Sequence, residues 1–236
     1  MSTSERRPLF DEESPFLDRF GLLLALTVAS IVLLSLTDQS ESSSSRLQQS
    51  IALVAAALTA AALLIALRSA GLARRWQRPV DTLIVVGIMA TAAIIIADGY
   101  MAEPGTGAKT PPLLALVLAV LAPIVVVRRL LTHRRVRRST LLGAIAVYLL
   151  IPIAFFYIFY TVDLVQPSTF FAQVEPTSSF MYFSLTTVTT VGYGDLVAVG
   201  QPGRLMANFE AVIGQVYLVT FVGLLIGLLT QQNREA

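Results

Sequence analysis

The chain has 236 residues, 55% of them hydrophobic and 14% charged, with a formal net charge of +2. Soluble domains carry about 25% charged residues, so this deficit, gathered into several long apolar runs, excludes an ordinary soluble domain and points to a polytopic membrane protein. The absence of cysteine excludes a disulfide framework and a thiolate metal site, and the small charge, with its basic residues grouped by topology, points to no nucleic-acid partner.

Residues 1–19 are polar and of mixed sign (Glu5, Arg6, Arg7, Asp11, Glu12, Glu13, Asp18, Arg19). A secretory signal starts with a short, purely basic stretch and ends in a small-residue cleavage site. Neither is present, so residues 1–19 read as a cytoplasmic segment and the first apolar run as part of the mature protein. Six runs are long enough to cross a bilayer as helices: 20–36, 51–67, 80–97, 113–131, 141–162 and 205–230. The first three lie near the short limit of ~17 residues for a hydrocarbon core of ~30 Å. Residues 38–49 are rich in serine and read as a flexible outer linker, and residues 101–112 carry glycine and proline at turn positions. A seventh apolar segment, 177–188, is too short to span. It reads as a re-entrant helix, because irregular backbone at membrane depth is tolerated only where it lines a watery cavity or is buried in protein. The expected fold is all-α: six transmembrane helices plus a re-entrant helix and the loop that follows it.

The basic residues give an orientation. With the N-terminus in the cytoplasm, fourteen lysines and arginines fall inside and three (Arg46, Lys109, Arg204) outside, a strong positive-inside bias. Both termini are then cytoplasmic, and the chain's last residues, 231–236, read as a short cytoplasmic tail with no regulatory domain after it.

Directly after the re-entrant segment, Thr189 to Asp195 reads Thr-Thr-Val-Gly-Tyr-Gly-Asp. A dehydrating potassium ion needs oxygens as good as water's, and a run of backbone carbonyls facing one axis supplies them. Gly192 and Gly194 can take backbone angles that L-residues avoid, so the carbonyls of Thr190, Val191, Gly192 and Tyr193, with the Thr190 hydroxyl, can share one side. Val191 and Tyr193 then point away. Chance would give such a six-residue match in a chain this long with odds of roughly 10⁻⁵ or less.

With its flanks, Thr186 to Asp195 reads Thr-Thr-Val-Thr-Thr-Val-Gly-Tyr-Gly-Asp between two spans. Residues 141–230 resemble the pore domain of tetrameric potassium channels, above all the simple prokaryotic ones. The resemblance implies a homotetramer in which each subunit meets three identical partners and gives one filter strand: Thr190, Val191, Gly192, Tyr193 and Gly194, with K+ as permeant ion. It places Asp195 at the outer mouth, sets Tyr182 and Phe183 among aromatics that brace the filter, and matches Gly203-Arg204 to the turn opening the inner helix. It makes Gly214 a hinge candidate and turns Gln215, Leu218 and Val222 to an inner cavity. The chain departs from the family's best-known simple member at Thr186, where that member has an acid behind the filter. Filter support then falls to Thr186, Thr187 and Thr189, and to Glu210, which either reaches that region or sits hydrated near Arg204. The C-terminal end of the re-entrant helix carries about half a negative charge, and four such ends favour a cation. Gly223 and Gly227 read as packing glycines, and Pro152 as a bend.

Six spans with the pore in the last two resemble voltage-gated channels in plan. A voltage sensor needs several arginines at every third position of the fourth span, and residues 113–127 hold no charge. Residues 20–131 therefore read as a four-helix peripheral domain without voltage sensing. Residues 132–140 form a basic cytoplasmic linker. Arg128, Arg129, Arg134, Arg135, Arg137 and Arg138 are candidates for contact with anionic headgroups, with simple topology as the plainer reading. His133, the chain's one histidine, reads as inert and Trp76 as an interfacial anchor. No acid–base constellation for an enzyme is present and no cofactor is expected. The sequence thus predicts a potassium-selective, voltage-insensitive channel of the cell (inner) membrane, with a weakly selective cation channel or a non-conducting channel-like subunit as alternatives.

Overall fold

The computed structural model describes residues 17–36, 113–131 and 138–235, with residues 54, 57–59, 61, 62 and 65 between them. All regular structure among these residues is helical. The run 51–67 is described only at those few positions, each helical. The run 80–97, residues 1–16, 38–49 and 101–112, Trp76, His133, Arg134, Arg135 and Arg137 lie outside the described residues.

Helix α1 (Leu17–Leu36) buries Phe20, Leu23, Thr27, Ser30 and Leu34. Their spacing of three and four draws one stripe along the helix. The hydroxyls on and beside that stripe are satisfied within the helix: Thr27, Ser30 and Ser35 donate to the carbonyls of Leu23, Leu26 and Ile31 at 2.7, 2.8 and 2.8 Å. Helix α2 (Leu113–Leu131) contains Pro123 and buries Leu118, Ala119, Ala122, Val126 and Leu130. Its alanines let it approach its neighbour closely.

Helix α3 (Arg138–Val165) is the axis of the molecule. It packs against α1 and α2, and also against the short α4 (Thr177–Val188) and the long α5 (Gln201–Glu235). Among the described residues its stretch Thr140–Val165 is the helix long and apolar enough to cross a membrane unaided; Phe20–Leu36 and Ala115–Arg128 are shorter apolar helices.

Helices α2 and α4 have the bounds read from sequence. Helices α1, α3 and α5 overrun the apolar runs 20–36, 141–162 and 205–230. A hydropathy run marks hydrocarbon thickness, whereas helical hydrogen bonding can continue into the interface, another ~10–15 Å in total.

The link between α3 and α4 folds inward. Phe170 and Phe171 are buried and join Phe159, Phe180 and Phe183, with ring centroids 4.9 to 5.8 Å apart. The Phe170 N–H donates to Asp163 Oδ1 at 2.8 Å, and its carbonyl accepts from the Val199 N–H at 2.9 Å. This aromatic cluster seats the N-terminal half of α4 against the C-terminal end of α3.

Candidate functional site

Pro176 caps α4 at its start, and Thr189 ends it in a last helical turn. The chain then runs in an unusual conformation. Thr190, Gly192 and Gly194 have φ of 58°, 49° and 81°, and they are the positive-φ residues of the described chain. Positive and negative φ thus alternate from Thr190 to Gly194. In an ordinary strand successive peptide groups point to opposite sides; alternating left- and right-handed residues turn consecutive groups to the same side. Glycine reaches this region freely, but for Thr190 it costs about 1–2 kcal/mol.

Hydrogen bonds from α4 hold that conformation. The Thr190 N–H donates to the Thr187 carbonyl at 2.9 Å, and the Val191 and Gly192 N–H groups both donate to the Thr186 carbonyl, at 2.9 and 3.2 Å. Across a trans peptide the N–H and the preceding C=O point in opposite directions. The carbonyls of Thr189, Thr190 and Val191 therefore face away from α4, free of the helix that anchors their partner N–H groups. Support comes from the main chain of Thr186 and Thr187 more than from hydroxyls. The Thr186 hydroxyl donates back to Phe183 O at 3.0 Å, and that of Thr189 to Leu185 O at 2.6 Å.

Farther along the loop, Tyr182 lies parallel to Tyr193, with centroids 6.3 Å apart and planes 6° from parallel. Its hydroxyl donates to Asp195 Oδ2 at 2.8 Å. That bond is the chief reason the Asp195 carboxyl titrates below its ordinary 3.8, with the Leu196 N–H on Oδ1 adding to it. Phe183, one residue on, faces the aromatic cluster instead. It touches Phe159, Phe170 and Phe171, so of the two aromatics Tyr182 is the one stacked on the strand.

Helix α5 has two faces. Gly203, Glu210, Gly214 and Phe221 are buried on one, with Tyr217 half-buried beside them. Leu205, Phe209, Val212, Ile213, Val216 and Val219 are exposed on the other. The inner face meets α4 at Gly214, where an added Cβ would lie 2.7 Å from Val188 Cγ2 and 2.8 Å from the Val188 carbonyl. The structure thus gives Gly214 a close-approach role, and α5 is helical straight through it. One turn away, Glu210 is fully buried with its Oε1 against Ser184 Oγ of α4. Of the two positions open for Glu210, this is the one behind the loop from Thr190 to Gly194; Arg204 turns instead to Ala198 O at 2.9 Å. Tyr217 donates to Ala144 O at 2.8 Å and stacks on Tyr148, which reaches Val188 O at 3.5 Å.

Gln215 is exposed and its Nε2 donates to Thr190 Oγ1 at 3.3 Å. Leu218 is half-buried, and the side chain of Val222 lies outside the described residues. Arg128 is exposed near the end of α2; the side chains of Arg129 and Arg138 lie outside the described residues. Sequence reasoning missed Ser184, whose partner is 26 positions away, and missed Thr190 as a left-handed residue. A membrane acid with no basic residue a turn away was the available hint for the first. The alternation Thr-x-Gly-x-Gly was the hint for the second.

The residues that build this arrangement lie within one matched stretch. Residues 142–231 match the family profile described as an ion channel. No curated protein and no solved structure matches the chain. From the first turns of α3 to near the end of α5, then, the chain is similar to an ion-channel domain, which supports a role in ion transport across a membrane.

Proposed function

We propose that this protein is a potassium-selective channel, with Thr190 to Gly194 as the filter of a homotetramer in the cell membrane. The observation that carries this reading is the alternating φ of Thr190, Gly192 and Gly194 together with the N–H groups held back by Thr186 and Thr187. A strand so held offers bare carbonyls on one side, which is what replacing an alkali ion's hydration requires. The strand and the outer face of α5 leave Val191, Tyr193, Phe209, Val212 and Val216 uncovered in one subunit. Copies of the same chain around an axis would cover them, and Asp195 would then stand at the mouth. Residues 113–127 lack the arginines of a voltage sensor, so the peripheral helices serve as a buttress, with both termini cytoplasmic. Their basic ends meet lipid headgroups.

Flux into liposomes loaded with potassium, sodium or a large organic cation tests this. Potassium flux alone is expected. Equal sodium flux would make the protein a weakly selective cation channel, and silence with all three a non-conducting subunit. In bilayer recordings, steep voltage activation worth several elementary charges would overturn the buttress reading.

A further inference from the structure

We propose that Glu210 keeps its carboxyl proton inside the protein and donates it to Ser184, and that the two are positioning residues for the filter strand. The positioning half of this rests on the channel reading above; the proton assignment does not.

Ser184 Oγ lies within hydrogen-bond distance of two oxygens, the Pro152 carbonyl of α3 at 2.9 Å and Glu210 Oε1 of α5. A hydroxyl carries one proton, and a carbonyl and an ionised carboxylate can only accept. With Glu210 ionised, a single proton must serve two acceptors. With Glu210 protonated, each contact holds its own: the acid donates to Ser184, and Ser184 donates to Pro152. The surroundings agree. Glu210 and Ser184 are both fully buried, and Glu210 Oε2 has no hydrogen-bond partner among the described residues. An ionised carboxylate so placed needs a cation or several donors, and none faces it among the described residues. On its own helix Arg204 is engaged by Ala198 O. On α4 the segment Thr177–Val188 carries no charged residue, and Tyr182 is turned to Asp195. On α3 the titratable neighbour is Tyr148, whose hydroxyl reaches Val188 O.

The relay therefore runs in one direction, from α5 through α4 to α3. Ser184 lies two residues before Thr186, whose carbonyl anchors Val191 and Gly192. Fixing Ser184 fixes that anchor, and with it the direction of the strand's free carbonyls.

Infrared spectroscopy of the purified protein in lipid, at neutral pH, reads the proton directly. A protonated-carboxyl band is expected in the native chain, absent in Glu210→Gln and shifted in Ser184→Ala. Identical spectra for the native chain and both variants would overturn the assignment. Should Glu210→Gln fail to assemble, Ser184→Ala alone decides, because the band must move when its partner is removed. Potassium flux tests the positioning half. Ser184→Ala and Glu210→Leu are expected to lose flux about tenfold, roughly the effect of one buried hydrogen bond, and Glu210→Gln, whose amide can donate in its place, to lose less than Glu210→Leu. A shifting band with undiminished flux in Ser184→Ala would overturn the positioning role alone. A native chain that shows the band but passes no potassium would overturn the channel reading and leave the proton assignment standing.

Discussion

The helices before α3 and those after it are held by different forces. In α1 the hydroxyls of Thr27, Ser30 and Ser35 bond to their own helix, and what meets α3 is an apolar stripe. A polar tie from the peripheral half joins Thr59 to Tyr157. From α3 onward, side chains cross between helices: Ser184 to Pro152 and Glu210, Tyr217 to Ala144, Tyr148 to Val188. Apolar contact is non-directional and tolerates sliding and resizing, whereas hydrogen bonds and backbone contacts fix position to a few tenths of an ångström. The peripheral helices need only cover α3. On the proposed channel reading, α4 and α5 must place specific carbonyls.

That contrast can be broken by substitutions matched across the two regions. The largest effect is expected at Gly192. Its φ of 49° is strained for any L-residue, so Gly192→Val should abolish potassium flux while leaving helix content, by circular dichroism, unchanged. Selective flux persisting in this variant would remove the filter assignment. Next comes Gly214→Ala. The new methyl meets the Val188 carbonyl at 2.8 Å, and a backbone atom yields less readily than a side-chain end. Overpacking of this kind costs about 1–3 kcal/mol, so thermal unfolding of the assembled protein should occur several degrees lower. The peripheral counterpart is Gly21→Ala in α1, where the new methyl lies 3.9 Å from Leu142, an ordinary contact. Helix propensity then favours alanine by up to about 1 kcal/mol, and the same melting experiment should show no loss. Equal destabilisation by the two alanines would mean that both halves are packed to the same tolerance.

A smaller effect is expected from Tyr182→Phe, which removes the hydroxyl held by Asp195. Because the bond favours the charged carboxylate, the Asp195 pKa is depressed. The bond's contribution is thus complete above the ordinary 3.8 and fades only as pH falls through the lower folded value. Native flux should therefore show no Asp195-linked change between pH 7 and about 4.5. In Tyr182→Phe the Asp195 resonance, followed by NMR, should titrate closer to its ordinary value. An unmoved titration would show that the Leu196 N–H, not the tyrosine, sets it.

Much of the candidate site was legible because its signals are local. Residues 177–188 form an apolar segment after Pro176 and before the glycine motif, and α4 keeps those bounds. The two glycines announced positive φ by their lack of a side chain. Thr190 did not, since a β-branched residue is a poor guess for the left-handed region; its conformation is imposed by the Thr187 and Thr186 carbonyls behind it. The Ser184–Glu210 contact left no trace beyond an acid without a nearby base, because it joins segments that only the packing of α4 on α5 brings together. Phe170 and Phe171 were passed over for a related reason. They sit in a stretch that reads as a connection, and only the structure shows them at the centre of an aromatic core. The ends of α1, α3 and α5 escaped because hydropathy reports the oil and not the helix.

The inward-folded phenylalanines have a practical side. With Phe170 and Phe171 buried, Ala172, Gln173 and Val174 are left standing in solvent at the tip of the link. A cysteine introduced there would be the chain's first, so a membrane-impermeant thiol dye would label one chosen spot and report which side of the bilayer it occupies.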